Sequence, residues 1–210
     1  MQIIPPSVEI LGNPDSHQML RNMEAAGRVC YKSEANIKEN TAGPFLRRLV
    51  QSGHESVIEH EKLTVKIVCD RGVTHEIVRH RIASYSQEST RYCNYTKDKF
   101  GNELTFIKPL FWGEEDTCYT LWKDQMASIE KGYFALIEAG ATPEEARSIL
   151  PNSLKTEIVV TMNMREWRHF LRLRGSKAAH PQIREIVRLL LPKFQEMLPD
   201  LFEDIVVDEK

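Results

Sequence analysis

Residues 79–91, RHRIASYSQESTR, concentrate side chains that bind anions. The segment holds three arginines and four serine or threonine hydroxyls, and Glu88 is its one acidic residue. Guanidinium forks and hydroxyl groups that converge on one point bind phosphate well. Ser89 and Arg91 stand two residues apart, so extended backbone would project both side chains to the same side. The segment therefore predicts a site for an anionic ligand, with a set of exposed surface charges as the alternative.

The first three residues of this segment, Arg79, His80 and Arg81, are consecutive. On a helix they would point about 100° apart, so they act together only near a helix end or against a ligand with several acceptor groups. A flavin, with its pyrimidine edge and its pyrophosphate, is such a ligand. A second basic stretch, residues 165–188, has seven basic residues against two acidic ones. The two stretches either converge on one anionic ligand or form two separate solvated faces.

The bulk composition excludes several classes of protein. The 210 residues carry a formal net charge of -2 and are 41% hydrophobic, as in an ordinary globular protein. An acidic pI of about 6.4 argues against nucleic-acid binding by bulk charge. No apolar run approaches the roughly 18 residues of a membrane helix, and the first residues lack a secretory signal. The four cysteines form no C-x-x-C pair, so we expect a reduced, cytoplasmic protein that binds neither nucleic acid nor membrane.

Motifs for nucleotide binding and hydrolysis are missing from the sequence. Neither G-x-G-x-x-G nor G-x-x-x-x-G-K-[ST] occurs, which disfavours Rossmann and P-loop sites, and neither G-x-S-x-G nor H-E-x-x-H is found. His54 and His60 are six residues apart, a spacing that does not place two metal ligands on one helix face. A structural role is therefore the simpler interpretation of both histidines.

Hydrophobic periodicity predicts the elements that position these residues. Strict alternation predicts half-buried strands at residues 62–69 and 154–164, and Thr142 with Glu145 forms a capping box. Helices are predicted at residues 41–53, 72–81, about 114–140, 142–150, 165–174 and from about residue 181. The helix at 114–140 is expected to bury a stripe of Cys118, Trp122, Met126, Ile129, Tyr133 and Leu136. This mixture predicts an α+β fold with a mostly antiparallel sheet flanked by helices, in a single domain over residues 1–210.

The opening segment also resembles a known family. Arg79-His80-Arg81, seven further residues and then Ser89 match the R-H-R-x7-S signature of the flavin-dependent thymidylate synthases. GHESVIEH, ARSILP and MNMREWRHFLRLR resemble three other segments of that family and occur in the family order. The resemblance extends from Gly53 to about Arg174.

This resemblance implies a reaction and an assembly. The family makes dTMP from dUMP with methylenetetrahydrofolate as the carbon donor, and FAD reduced by NADPH provides the hydride. Its members are homotetramers built around a twisted sheet, with active sites shared between subunits. The thiol-dependent thymidylate synthases instead use a cysteine in a Pro-Cys-Gln setting, which is missing from this sequence. Activation of the uracil would therefore be electrostatic.

The resemblance also implies roles for individual residues. Arg174 would be catalytic, because a cation beside the uracil favours ionisation at N3 and raises electron density at the carbon that attacks the methylene group. Contacts with FAD are implied for Ser56 of a neighbouring subunit and for Arg79, His80, Arg81, Gln87, Asn163, Met164, Arg165 and His169. Contacts with dUMP are implied for Glu76, Ile77, Val78, Arg79, Gln87, Glu88, Ser89, Thr90, Arg91, Arg147 and Arg174.

Three positions depart from the family pattern. Glu76 stands where many members have glutamine, Gln87 where many have glutamate, and His169 where many have asparagine. A carboxylate near a phosphate is unfavourable, so Glu76 is expected to turn away or to pair, with Arg79 as a candidate partner. Under the resemblance, His54 would lie near the flavin or the folate.

Two other functions compete with this interpretation. An RNA- or single-strand-binding module would use both arginine-rich stretches, but the sequence has no aromatic stacking platform between the arginines. A flavin- and folate-dependent RNA uracil methyltransferase would need a Rossmann-type flavin fingerprint, which is also missing.

Overall fold

The computed structural model describes residues 1–97 and 101–207, so residues 98–100 and 208–210 of the predicted domain lie outside the described part. The strands are β1 (Gln2–Ile4), β2 (Ser7–Leu11), β3 (Lys62–Asp70), β4 (Ala83–Gln87), β5 (Thr105–Ile107) and β6 (Lys155–Asn163). The α-helices are α1 (Ser16–Tyr31), α2 (Ala42–Gln51), α3 (Arg71–Ile77), α4 (Thr117–Glu138), α5 (Pro143–Ala146), α6 (Met164–Gly175), α7 (Pro181–Met197) and α8 (Pro199–Phe202). Short 3-10 helices occupy Glu34–Asn36, Glu55–His60 and Arg147–Ile149.

The main sheet has four strands in the order β2-β3-β6-β4, and β1 pairs with β5 in a separate parallel pair. The side chains of Thr64 and Thr161 meet at 2.9 Å, and Arg71 N donates to Leu154 O at 3.1 Å. Residue numbers therefore fall along β6 as they rise along β3, as in antiparallel strands. The predicted α+β fold with a mostly antiparallel sheet is confirmed.

The two strands predicted from alternation are confirmed as β3 and β6. Leu63, Val65 and Ile67 are buried along β3, while Ile158 and Val160 are buried along β6. Their intervening neighbours are half-buried or exposed, because successive strand residues point to opposite faces. One face of β3 and one face of β6 therefore belong to the hydrophobic core. This packing holds the last residues of each strand in place.

The described chain divides into two compact units, and we treat each by itself. The first unit comprises Met1–Ser7, Ile67–Arg79 and Ser86–Ile158, and the second comprises Val8–Lys66, His80–Tyr85 and Val159–Lys210. The single domain predicted over residues 1–210 stays a prediction.

The core of the first unit packs against the middle of α4. Met126 and Tyr133 are buried there, beside Phe106 and Leu154. The predicted stripe is only partly correct: Trp122 and Ile129 are half-buried, while Cys118 and Leu136 at its two ends are exposed. Near the two ends of the helix the neighbouring residues Tyr119, which is buried, and Ile137, which packs against the core, take the inward positions, so the predicted stripe was off by one residue at each end.

Aromatic packing holds the second unit together. Trp167 of α6 makes edge contacts with Phe170 and with Phe194 of α7, and it donates from Nε1 to Leu63 O at 3.0 Å. These contacts bury the indole completely and satisfy its one polar atom. They fix α6 against β3, which matters because α6 carries several of the predicted site residues.

Helix ends are mostly well predicted. The capping box at Thr142 and Glu145 is confirmed, but the predicted helix 142–150 is only the four-residue α5 followed by the 3-10 turn Arg147–Ile149. Helix α3 ends at Ile77, four residues before the predicted end.

No helix in the described residues is both long enough and apolar enough to cross a membrane.

Gly27 of α1 is closely packed against side chains of the second unit. A Cβ built at this position would be 2.8 Å from Phe45 Cε1 and 3.0 Å from Val57 Cγ1, both on buried side chains. We expect Gly27→Ala to lower the free energy of unfolding by about 1–3 kcal/mol through overpacking. Urea denaturation measures this change.

Gly132 of α4 provides a matched control for that substitution. A Cβ there would meet only Ile149 Cδ1, at 3.1 Å, on a side chain that is 38% exposed. Gly132→Ala should therefore be neutral or stabilising by up to about 1 kcal/mol, from helix propensity. Equal destabilisation by both variants would contradict the packing argument.

Candidate active site

The signature motif follows directly on the end of α3. Val78 caps that helix, donating to Thr74 O, and Arg79 N donates to Glu76 O at 3.4 Å. Arg79, His80 and Arg81 therefore lie beyond the end of α3. This agrees with the expectation that three consecutive side chains act together only near a helix end. Arg79 and Arg81 are exposed, whereas His80 is only 4% exposed. The motif thus places one imidazole inside the protein and two guanidinium groups at its surface.

His80 is held by α6 of the second unit. Its Nδ1 lies 2.8 Å from Glu166 Oε1, and Arg174 Nε donates to its Nε2 at 3.2 Å. Its ring makes an edge contact with Phe170, with ring centroids 5.0 Å apart. His169 has its ring centroid 5.3 Å away and is itself exposed. The structure therefore brings together three of the predicted site residues, His80, His169 and Arg174.

The electrostatics of this cluster favour a neutral imidazole. Burial lowers the pKa of His80 below its ordinary value, the negative charge of Glu166 opposes that shift, and Arg174 and His169 add to it. Tyr85 of β4 donates its hydroxyl to His80 O, and burial raises the pKa of Tyr85 to about 12. Both groups therefore remain uncharged near neutral pH.

The start of α6 holds three more predicted residues. Asn163 ends β6 and caps α6, since its Oδ1 accepts from Glu166 N at 2.8 Å. Arg165 is exposed and its Nη1 lies 2.5 Å from Glu59 Oε1. Met164 is fully buried and its N–H donates to Glu61 O at 3.0 Å, so its side chain is not offered to a ligand.

A cavity of about 510 Å³ lies beside this helix start. Asn163 lines it together with Lys62, His60 and Ser84. Ser56, in the 3-10 helix Glu55–His60, is exposed. His54 stands at the N-cap position of that helix, and its Nδ1 lies 3.2 Å from the hydroxyl of Tyr31.

In the first unit, polar contacts fix the end of β4. Gln87 Nε2 donates to Thr74 Oγ1 at 3.2 Å and to Thr156 Oγ1 at 3.3 Å. The Glu88 carboxylate accepts from Tyr95 at 2.9 Å and from Lys155 at 3.0 Å. Both oxygens of the Glu88 carboxylate therefore have partners within the protein. These contacts hold the segment after Glu88 in place.

Ser89 and Arg91 do not lie in extended backbone, and that prediction is wrong. The chain turns after β4, since Tyr92 N and Cys93 N both donate to Ser89 O. Ser89 and Arg91 nevertheless meet, because Arg91 N donates to Ser89 Oγ at 3.2 Å. The Ser89 hydroxyl therefore lies against the turn. Ser89 and Arg91 are brought together by this local hydrogen bond and not by the alternation of side chains along a strand.

Arg91 has an acidic partner that the sequence did not indicate. Its Nε lies 2.9 Å from Glu144 Oε2, and both side chains are about half exposed, at 52% and 51%. Such an exposed pair contributes little to stability and exchanges readily for another anion. Thr90 beside it is buried, and Arg147 is exposed on its 3-10 turn.

The remaining predicted residues lie on α3. Glu76 is half-buried, Ile77 is fully buried and Val78 is 44% exposed. The side chain of Ile77 therefore belongs to the core, and a ligand would reach only its backbone. The contacts of all three with dUMP stay predictions.

The family described as "Thymidylate synthase complementing protein" matches residues 15–200. A flavin-dependent thymidylate synthase of Pyrococcus furiosus is 42% identical over 166 residues, covering 79% of this chain and 67% of that protein. The chain belongs to the flavin-dependent thymidylate synthase family. The corresponding protein of Corynebacterium efficiens is 31% identical over 215 residues, covering 97% of this chain and 86% of that relative.

A solved structure shares the fold. A UMP/dUMP methylase from Streptomyces cacaoi, bound with 5-Br dUMP, has a TM-score of 0.73 over 97% of this chain and 96% of its own. Its sequence is 23% identical, so the likeness concerns the fold. This agrees with the α+β architecture described above.

Family membership makes the state of the cysteines informative, and all four lie within the described residues. Cys69 is buried, and burial raises its pKa well above the ordinary value, which keeps the thiol protonated. Cys30 and Cys118 are exposed and Cys93 is half-buried. Their sequence settings lack the Pro-Cys-Gln context, which agrees with a flavin-dependent member.

Among the described residues, His80, Glu166 and His169 form one group whose donor atoms lie within 4.8 Å of one another. Two imidazoles and a carboxylate are ligands for a transition metal. However, both ring nitrogens of His80 already have partners, Glu166 at Nδ1 and Arg174 at Nε2. The arrangement is therefore a hydrogen-bonded relay, and a metal would have to break one of its bonds.

Sequence reasoning missed the residues that hold the site residues in place. In the sequence, Glu166 is only one of two acidic residues in the basic stretch 165–188. Its partner His80 lies 86 positions away, so nothing near Glu166 indicates the pair. Lys155, Tyr95 and Glu144 were also missed. No local signal identifies Lys155 or Glu144, because their partners lie 67 and 53 positions away; Tyr95 is seven positions from its partner Glu88, outside any helix or strand that would pair them.

Proposed function

We propose that this member of the family catalyses the reductive methylation of dUMP to dTMP. Methylenetetrahydrofolate would be the carbon donor, and FAD, reduced by NADPH, would be the cofactor. The observation that carries the proposal is the 3.2 Å hydrogen bond from Arg174 Nε to His80 Nε2. It joins the histidine of the signature to the arginine to which the family resemblance assigns catalysis.

The described residues suit a flavin by their chemistry. Arg81 and Arg165 are exposed guanidinium groups of the second unit, and Asn163 lines the 510 Å³ cavity at the start of α6. Guanidinium forks and an amide offer donors for a pyrophosphate and for the acceptor atoms of a flavin ring. Arg81, Asn163 and Arg165 would hold the cofactor. When bound, the flavin supplies the hydride.

The first unit suits a nucleotide phosphate. Arg91 and Arg147 are exposed, and Ser89 presents a hydroxyl on the turn after β4. A dianionic phosphate is a stronger partner for Arg91 than the half-exposed carboxylate of Glu144, so dUMP would displace that carboxylate. The family relatives, and the shared fold of a methylase bound with 5-Br dUMP, support this assignment.

Arg174 would activate the uracil by its charge. A fixed cation beside N3 stabilises the anionic form of the ring, and such preorganised donors contribute roughly 3–4 kcal/mol to transition-state stabilisation. The ring would then attack the methylene group without a thiolate. Buried, protonated Cys69 agrees with that route.

Assembly as a homotetramer with shared active sites is part of the proposal, and so is a cytoplasmic location. The side chain of Ser56 is exposed, so it is available to a flavin of another subunit. Sedimentation velocity of the purified protein tests the oligomeric state, since a monomer at micromolar concentration would contradict it.

The reaction is tested with dUMP that carries tritium at C5. Release of tritium to water and formation of dTMP should require both NADPH and methylenetetrahydrofolate. The purified protein should show a visible flavin absorbance that dithionite bleaches and dUMP perturbs. A colourless protein that takes up neither FAD nor dUMP would overturn the proposal.

The same preparation separates the two competing functions, over which the family relationship favours dTMP synthesis. An RNA-binding module would bind RNA without flavin and with a steep salt dependence. An RNA uracil methyltransferase would methylate an RNA transcript and leave dUMP unchanged.

Replacing Arg91 with alanine should weaken dUMP binding. Because hydrogen bonds to charged groups typically contribute 1.5–3 kcal/mol, we expect the KM for dUMP to rise by roughly 10- to 100-fold. The flavin absorbance should be unchanged. The matched variant Glu144→Gln removes the competing carboxylate and should not raise that KM. Loss of flavin from Arg91→Ala with normal dUMP affinity would contradict the assignment.

A further inference from the structure

The residues around His80 form a chain of hydrogen bonds along one face of α6. Glu166, Phe170 and Arg174 follow one another at four-residue steps, so their side chains share that face. Glu166 and Arg174 are two turns apart, about 12 Å along the axis, which is too far for a direct ion pair. His80 bridges them, and its ring makes an edge contact with Phe170 between them.

The partners of His80 define its protonation. A carboxylate accepts hydrogen bonds, so the proton must be on Nδ1, which faces Glu166 at 2.8 Å. The guanidinium of Arg174 only donates, so Nε2 must carry the lone pair. The neutral Nδ1–H tautomer satisfies both contacts. The other neutral tautomer, or the imidazolium ion, would place an N–H against the N–H of Arg174.

This arrangement has a consequence for the charge of Arg174. A carboxylate in direct contact with the guanidinium would offset much of its charge at short range. The neutral ring instead separates Glu166 from Arg174 while fixing the direction of the Arg174 Nε–H bond. His80 thus fixes the direction of the Arg174 Nε–H bond without itself placing a negative charge beside the guanidinium.

We propose that Glu166 and His80 are positioning residues for Arg174: Glu166 selects the tautomer of His80, and His80 orients the guanidinium. This inference rests on the proposed function for the role of Arg174. The tautomer itself does not depend on that function. Loss of the relay is expected to reduce the rate of the chemical step more than it affects substrate binding.

The groups that face His80 also set its response to pH. They are Glu166, His169 and Arg174 on α6 and Tyr85 on β4. Burial lowers the pKa of His80 below its ordinary value of about 6.5, so the relay is intact above that value and is lost as pH falls through the lowered pKa. Glu166 opposes the shift, so removing its charge lowers that pKa further.

The test is Glu166→Gln in the flavin-bound protein. Glutamine can donate to Nδ1 as well as accept from it, so it no longer selects the Nδ1–H tautomer; kcat should fall by about 10-fold or more, with a smaller change in the KM for dUMP. The acid limb of the kcat profile should move to lower pH. The control Glu203→Gln removes the same charge from an exposed side chain paired with Arg47 and should alter neither. A Glu166→Gln enzyme with normal kcat and an unmoved acid limb overturns the proposal.

Nitrogen-15 NMR of the histidine rings tests the tautomer independently of turnover. We expect the wild-type His80 signals, identified by their loss in His80→Gln, to show a protonated Nδ1 and an unprotonated Nε2. A protonated Nε2 in the wild type would refute the relay, even if Glu166→Gln did not fold. An absence of dTMP synthesis in the wild type would refute the proposed function and leave the tautomer result standing.

Discussion

Replacing Arg174 with alanine is expected to lower kcat by about 100- to 1,000-fold while the flavin stays bound. The guanidinium is the cation that we propose stabilises an anionic uracil, and its Nε donates to buried His80 at 3.2 Å. Alanine removes that charge without changing the backbone of α6. Single-turnover measurement of dTMP formation, with flavin content followed by absorbance, checks both parts of the expectation.

Arg188→Ala provides the matched control for Arg174. Arg188 is an exposed arginine of the same basic stretch and lies on α7. Its replacement should leave kcat within a factor of about two, as expected for a surface position outside the site. Near-normal turnover by Arg174→Ala would remove this residue from the mechanism, and the proposed relay would then have no catalytic purpose.

The largest expected effect on stability concerns a fully buried cation. Arg168 of α6 is completely buried, and its Nη1 and Nη2 each lie 2.8 Å from the carboxylate of Asp204. Arg168 also donates to Leu201 O, and its Nε lies 3.2 Å from Glu55. These bonds tie the C-terminal segment to the helix that carries Arg174.

Asp204→Asn should lower the free energy of unfolding by about 3 kcal/mol. Removing one partner of a buried pair typically costs 3–5 kcal/mol, and we expect the low end because Asp204 is 46% exposed. Urea denaturation provides the measurement. Glu203→Gln, in the same segment and paired with the exposed Arg47, should cost less than about 1 kcal/mol. Equal losses in the two variants would contradict the assigned importance of Arg168.

The pH dependence of stability gives a second check on Asp204. Burial raises its pKa, but Arg168 and Arg172 outweigh that effect and hold it below the ordinary value. A depressed folded pKa stabilises the protein above the unfolded value of about 3.9, and this contribution is lost as pH falls through the folded pKa. The wild type should therefore lose stability below about pH 4, and Asp204→Asn should lack that part of the loss.

Local patterns in the sequence were sufficient for much of the fold. Alternation located β3 and β6, because a strand with one buried face repeats every two residues. The capping box at Thr142 was equally local. Elements without such a pattern were missed, including α1, the strands β1, β2, β4 and β5, and the short α8. In β4 the residues alternate between half-buried and exposed, so it lacks the apolar face that marks a strand.

The sequence by itself determined the family and predicted the site residues, because the R-H-R-x7-S signature and its companion segments are short and contiguous. Only the tertiary structure decided which groups hold them. His80 meets Glu166 and Arg174 across 86 and 94 positions, and Arg168 meets Asp204 across 36. Such contacts depend on how β3, β6 and α6 pack together. They cannot be predicted from the periodicity of any one segment. The amino-acid sequence thus named the arginine proposed to act on the substrate, and the fold supplied the neutral histidine that orients it.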